Sequence, residues 1–297
     1  DLVTRAYQMG EASALAPLDF VRLLLALVFI LLVASSYGAS EARRDPVIRR
    51  ATVAMDGLDR PVRLALISDT HMSGPDMPPE RLARIVGQIN AQRPDLVVLA
   101  GDFMSEDKPM ATRYTAAESV APFAALRAPM GVIAVLGNHD YHRDSEAQLG
   151  RTFAAMGITL LNNSAVRRGP LSIGGVEDLF HGHPDIKKTV AAIQERGGAG
   201  LLVSHNPDVF PQKDTASIAV VLAGHTHCGQ VKLPFVTSFW VPSRFYYDPS
   251  CGVIRDHKRT MVVSGGAGTS RLPIRLHAPP EFWIVTLSPR DKSLSRP

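Results

Sequence analysis

Leu64-Ala65-Leu66-Ile67-Ser68-Asp69-Thr70-His71 reads as a buried strand that delivers a carboxylate and an imidazole at its carboxyl end. An apolar run of that length, bounded by polar residues, suits a strand covered on both faces, as in a parallel sheet. The same pattern recurs along the chain. Leu96-Val97-Val98-Leu99-Ala100 ends at Gly101-Asp102, and Val132-Ile133-Ala134-Val135-Leu136 ends at Gly137-Asn138-His139-Asp140. Leu201-Leu202-Val203 ends at Ser204-His205, and Ile218 to Ala223 ends at Gly224-His225-Thr226-His227. Strands that all finish this way predict an α/β fold with one site beyond their carboxyl ends.

Taken singly, the motifs say little. Gly-Asp is an ordinary turn signal, a lone Asp-x-His is a common dipeptide spacing, and His205 by itself reads as a hydrogen-bonded core histidine. Gly-Asn-His-Asp and Gly-His-Thr-His carry more, because metal-capable side chains follow a strand and a glycine. The ordered conjunction decides the reading. Asp, His and Asn ligands suit manganese, iron or zinc rather than a structural zinc site, which would more often use thiolates. Two divalent ions with a hydrolytic water between them account for the whole set.

Ile67-Ser68-Asp69-Thr70-His71, Gly137-Asn138-His139-Asp140-Tyr141, Ser204-His205-Asn206-Pro207-Asp208 and Ala223-Gly224-His225-Thr226-His227-Cys228-Gly229-Gln230 resemble the calcineurin-like metallophosphoesterases. The wording is similar to a membrane-associated, YaeI/YkuE-like branch. That likeness runs from Pro46 to Leu287 and includes a branch-specific tail, Val263-Ser264-Gly265-Gly266-Ala267-Gly268-Thr269-Ser270 through Leu272-Pro273-Ile274-Arg275 to Pro280-Glu281. It implies a two-sheet β-sandwich flanked by helices and a dinuclear site. Asp69, His71 and His227 would hold one ion, Asn138, His205 and His225 the other, and Asp102 would bridge them. His139 resembles the residue that protonates or stabilises the leaving oxygen, a role suited to an imidazole with a pKa near neutrality. The ions would be manganese, with iron or zinc as alternatives. One departure stands out. Many relatives place an Asp three residues after the bridging Asp to orient the catalytic His; this chain has Ser105 there, followed by Glu106 and Asp107.

Composition sets the frame. With 297 residues, 45% hydrophobic and 20% charged, the chain can fill one large core. A net charge of +4 is mild. The arginine pairs Arg43-Arg44, Arg49-Arg50 and Arg167-Arg168 lack interleaved aromatics, which argues against a nucleic-acid groove. Beside an apolar helix they suit a phospholipid surface, or simple solvated charge. The two cysteines, Cys228 and Cys251, read as packed residues or as a disulfide in an oxidising compartment.

Leu18 to Gly38 is an apolar stretch of twenty-one residues, interrupted by Asp19 and Arg22 near its start. As a helix it spans about 31 Å, the thickness of the hydrocarbon layer; a secretory signal core is the competing reading. The expected organisation is therefore a membrane segment and linker over 1–45, with its helix at about 18–38, and a catalytic domain over 46–297. The expected location is a bacterial inner membrane. Arg43, Arg44, Arg49 and Arg50 outweigh Arg5 and Arg22 and favour a cytoplasmic domain, whereas relatives with extracytoplasmic domains point the other way. Thr4 to Phe20 separately resembles a helix of EamA-type transporters, which suggests a fusion.

Elsewhere, helical spacing predicts helices over Glu80–Gln92, Ala116–Leu126, Glu146–Met156 and Ile186–Arg196. His181 and His183 read as loop residues. Phe235 to Tyr247 concentrates six aromatics, as a small second core or as a membrane-dipping, acyl-binding lip. The functional expectation is a membrane-anchored phosphodiesterase or pyrophosphatase acting on a phosphodiester or a lipid-linked diphosphate, such as UDP-2,3-diacylglucosamine of lipid A synthesis. A metal-stabilised, membrane-tethered binding domain without catalysis is the competing reading.

Overall fold

A computed structural model describes residues 12–105, 111–232, 241–244 and 250–290. Phe235 to Trp240 and Phe245 to Tyr247 of the aromatic segment lie outside them, as do Glu106, Asp107 and the first part of the transporter-like stretch.

A long first helix, α1 (Ala12–Arg43), is followed by β1 (Val47–Met55), β2 (Val62–Ile67), α2 (Pro79–Ala91) and β3 (Leu96–Ala100). Then come α3 (Ala116–Val120), β4 (Val132–Val135), α4 (Ser145–Ala155), β5 (Thr159–Leu160), β6 (Ser164–Arg168) and β7 (Leu171–Gly175). The chain closes with α5 (Ile186–Glu195), β8 (Ala199–Val203), β9 (Val220–Ala223), β10 (Gly252–Asp256), β11 (Arg259–Val263) and β12 (Glu281–Pro289). Two six-stranded sheets result, ordered β1-β12-β2-β3-β4-β5 and β10-β11-β9-β8-β7-β6.

Period-two alternation explains the layering. Leu64 and Leu66 of β2 point between the sheets, where they meet Leu171, Ile173, Leu201, Val203, Val220 and Leu222 of the second sheet. Ala65 and Ile67 point outward beneath α2, whose Leu82, Ile85, Val86 and Ile89 form one apolar stripe. On the far face, Leu202 and Val221 pack with Val190 and Ile193 of α5. The expected helix-flanked sandwich is thus the observed architecture. Strands β2, β3 and β4 run parallel, as do β7, β8 and β9, so their carboxyl ends emerge along one edge.

The expected helix over Ala116–Leu126 divides in two: α3 stops at Val120 and a 3₁₀ turn covers Ala121–Ala125. Pro122 supplies no N–H for the α ladder, so the i→i−4 bonding pattern cannot run on through this segment. The other three expected helices appear within about a residue of their expected bounds.

α1 leaves the body of the protein. From Phe20 to Val33 its side chains are exposed, whereas Gly38 and Ala42 are buried against the catalytic unit. Pro17–Arg43 is long and apolar enough to cross a bilayer.

Candidate metal centre

The strand ends meet at Asp102. Its Oδ2 lies 3.2 Å from His205 Nε2, 3.5 Å from His71 Nε2 and 3.9 Å from His139 Nε2. Its Oδ1 accepts from the His139 amide at 2.9 Å. To one side, His227 Nε2 sits 3.4 Å from Asp69 Oδ1 and 3.1 Å from His71 Nε2. To the other, His205 Nε2 sits 3.0 Å from His225 Nδ1. Two metal-capable groups follow, Asp69-His71-His227 and Asp102-His205-His225, and a third, His71-Asp102-His139, links them. All of these side chains are buried.

Local backbone geometry aims them. Asp69 (φ 52°), His71 (41°), Asp102 (57°), His225 (74°) and His227 (51°) occupy the left-handed region. Non-glycine residues reach it at a cost of about 1–3 kcal/mol each, and such strain gathers at functional sites. Here it turns each chain sharply at the end of its strand, so that the side chains fold back over the sheet edge. Close approach sets two further identities. A Cβ at Gly137 would lie 2.2 Å from Asp102 Oδ1, and one at Gly101 would lie 2.8 Å from His205 Nδ1.

The donor set fits cations. His71 Nδ1 faces the Met104 carbonyl at 3.0 Å, and His205 Nδ1 faces the Ala100 carbonyl at 2.8 Å. A carbonyl only accepts, so the proton of each neutral ring sits on Nδ1 and the Nε2 lone pair points into the cluster. Asn138 Oδ1 is buried and accepts no hydrogen bond among the described residues. Such an orphan acceptor is costly unless something electropositive meets it.

Electrostatics also mark the cluster. Burial raises the Asp102 carboxyl, yet His205 and His139 beside it prevail and hold it well below the usual range. Burial pulls His205 down, but the Asp102 carboxylate pushes it up to about 10. Burial, opposed by His205 and reinforced by Asp102, raises Asp69 to about 6. Burial and then His205 take His225 down to about 3; burial, His71 and Arg275 hold His227 well below its ordinary value. Opposed shifts among touching groups are typical of functional sites.

Two residues outside the expected ligand set organise it. Asp140 accepts four backbone N–H groups: Oδ2 from Asp102 (2.9 Å) and Gly137 (2.8 Å), Oδ1 from Phe103 (2.8 Å) and Met104 (3.0 Å). It stitches the β3 and β4 loops together. Arg275, fully buried, donates to the carbonyls of Gly265 (2.8 Å), Gly268 (2.6 Å) and Ala278 (2.8 Å), and its Nη2 lies 3.3 Å from His227 Nδ1. Asp140 stands inside the Gly-Asn-His-Asp motif and Arg275 inside the branch-specific tail; both were visible as motif letters without a role. Cys228 and Cys251 form a disulfide, which ties the residue after His227 to the start of β10. His181 and His183 belong to none of the metal-capable groups among the described residues.

Residues 62–229 match the calcineurin-like phosphoesterase family. The uncharacterized metallophosphoesterase YkuE of Bacillus subtilis is 31% identical over 76% of this chain and 78% of its own length. An uncharacterized metallophosphoesterase of Helicobacter pylori is 27% identical over 86% of this chain and 68% of its own. A transmembrane protein with a metallophosphoesterase domain from Danio rerio is 29% identical over 96% of this chain and 67% of its own. The family match spans more than half of the chain and takes in every strand end that converges on Asp102, so this protein belongs to the calcineurin-like phosphoesterase family and is a metal-dependent phosphoester hydrolase.

Proposed function

We propose that the chain is a membrane-anchored phosphodiesterase or pyrophosphatase with a two-ion centre. Asp69, His71 and His227 would hold one ion, Asn138, His205 and His225 would hold the other, and Asp102 would be shared. The observation that carries this reading is the position of Asp102 Oδ2, within 3.5 Å of an imidazole from each cluster. Bound divalent ions, manganese first among the candidates, would supply Lewis acidity and an activated water.

The chain's own residues do the rest. Asp102 offsets the positive charge and sets the spacing of the two ligand groups. Carbonyl acceptors on His71 and His205 fix the tautomers that present Nε2. Asp140 keeps the Asp102 and Asn138–His139 loops in register. His139, with its amide on Asp102 and its Nε2 turned toward the same carboxylate, holds a proton for the departing oxygen. Burial of the whole group excludes bulk water and strengthens each of these interactions.

The exposed apolar helix supports an anchor in a bacterial inner membrane, and with it a substrate such as a lipid-linked diphosphate. The Cys228–Cys251 disulfide supports a catalytic unit on the oxidising side, against the arginine count beyond α1. The organisation proposed is an anchor and linker over 1–45 and a catalytic domain over 46–297.

The test is hydrolysis of bis-p-nitrophenyl phosphate beside p-nitrophenyl phosphate by the manganese-loaded full chain. The diester should be cleaved; Asp102→Asn should abolish turnover, and His139→Ala should lower it by about a hundredfold or more. Diester turnover that survives both substitutions would refute the assignment.

A further inference from the structure

The end of α1 is bonded to the scaffold of the metal centre. Gly38 O accepts from the Arg275 amide at 2.9 Å, and Gly38 is buried against Ile274. One turn on, Ala42 is fully buried, and Arg44 O accepts from Arg81 Nη2 at 2.8 Å. Both arginines reach the loop under the site: Arg81 Nη1 donates to Ala267 O at 3.2 Å, and Arg275 clamps Gly265 and Gly268 while its Nη2 lies beside His227. That loop in turn holds β2's end, with the Gly268 amide on Asp69 O at 2.8 Å.

The segment between the clamp and the site is also fixed. Gln230, three residues after His227, donates from Nε2 to the carbonyls of Ser270 and Leu272, both at 3.0 Å, and accepts from the Ser270 amide at 2.8 Å. At its tip Leu272 is 57% exposed. Outside α1, only Phe180 shares that condition among the large described hydrophobic residues. Covering this leucine with an apolar layer is favourable.

Position supplies the partner. The exposed apolar part of α1 ends at Tyr37, so in the anchored reading its junction with the bilayer surface falls at Gly38, where tyrosine is at home in the interfacial layer. Ile274 touches Gly38, and Leu272 lies two residues away from it in sequence. We propose that Leu272-Pro273-Ile274 is a membrane-contact loop that seats in the headgroup layer beside the end of α1. It holds the metal centre against the bilayer, so that the phosphoesters it meets are those carried by lipids at that surface. This extends the anchored-phosphodiesterase reading and depends on it.

The full chain, reconstituted in vesicles of phosphatidylethanolamine and phosphatidylglycerol, tests it. The native cysteines are paired, so a nitroxide can be placed on Leu272→Cys, on Tyr37→Cys in the proposed anchor, and on His257→Cys, which is 94% exposed in the β10–β11 turn. Labels at 272 and 37 should be several-fold more accessible to oxygen than to an aqueous nickel chelate, and the label at 257 the reverse. In parallel, Leu272→Asp should lower turnover of a bilayer-borne phosphodiester by about tenfold, the order expected for losing a buried leucine. It should leave bis-p-nitrophenyl phosphate hydrolysis unchanged.

An aqueous label at 272 with a lipid-facing label at 37 overturns the loop proposal alone. So does an equal effect of Leu272→Asp on both substrates, or dipolar broadening at 272, which would assign the loop to a second copy of the chain. An aqueous label at 37 removes the anchor and the proposal with it. Absence of diester hydrolysis in the unaltered chain would refute the underlying activity, whatever the labels report.

Discussion

Two buried charges of opposite sign hold the two flanks of the metal centre. On the first-sheet flank Asp140 gathers four amide N–H groups from the loops after β3 and β4. On the other flank Arg275 gathers carbonyls from the glycine-rich loop after β11 and stands beside His227. The contrast has a common cause. Loops that leave a sheet edge carry unpaired backbone groups, and burying them without partners is expensive. Where the chain turns so that amides point inward, an anion satisfies them; where carbonyls point inward, a cation does. Each charge is itself desolvated, so each is stable only while its ring of partners is complete.

Breaking the anionic side should do most damage. Asp140→Ala leaves four buried N–H groups without an acceptor and should cost about 3–5 kcal/mol. Thermal unfolding should show it, together with loss of diester turnover. Asp140→Asn, which retains one acceptor oxygen, should recover part of the stability. Breaking the cationic side should cost somewhat less, because a buried carbonyl short of a donor is better tolerated than an orphaned N–H. Arg275→Met should destabilise by about 2–4 kcal/mol and should weaken ion binding at the His227 group more than at the His205 group. Equal weakening of both would show that the two flanks are not independently braced.

The disulfide sharpens the same contrast, since it braces only the His227 flank. It closes a separation of 23 residues, for which chain entropy implies about 3 kcal/mol. Measured losses fall below that figure when the reduced chain retains structure, so Cys251→Ser should lower the melting temperature by less than Arg275→Met does. It should leave ion binding at Asn138, His205 and His225 intact.

A pH slope marks the other flank. In metal-free protein the folded pKa of His205, about 10, stands above its unfolded value near 6.5. Its contribution is therefore complete below pH 6.5 and is lost as the pH rises toward 10. Asp69 and Asp140, raised to about 6 and about 7 by burial first, change stability mostly at lower pH. The melting temperature of the metal-free chain should fall between pH 7 and pH 10, and His205→Gln should flatten that fall.

Much of this is legible in the sequence. The strands with ligands at their ends announced themselves because local apolar runs and glycines mark both strand and turn, as at Leu96–Asp102. What escaped depends on contacts remote in sequence. β12, Glu281–Pro289, inserts between β1 and β2, and no local pattern specifies a partner more than 200 residues away. β6 and β7 carry Arg167, Arg168, Gly174 and Gly175, which dilute the strand signal. Asp140 and Arg275 resisted for a related reason. A residue that binds backbone groups leaves no complementary side chain in the sequence to identify its work.

The measurement closest to the central claim is calorimetric titration of the metal-free full chain with manganese, for the unaltered protein and for Asp102→Asn. If the strand ends build one centre around a shared carboxylate, the unaltered chain takes up two ions, and Asp102→Asn retains no more than one with comparable affinity. A single ion in the unaltered chain, or two undiminished ions after Asp102→Asn, would contradict it.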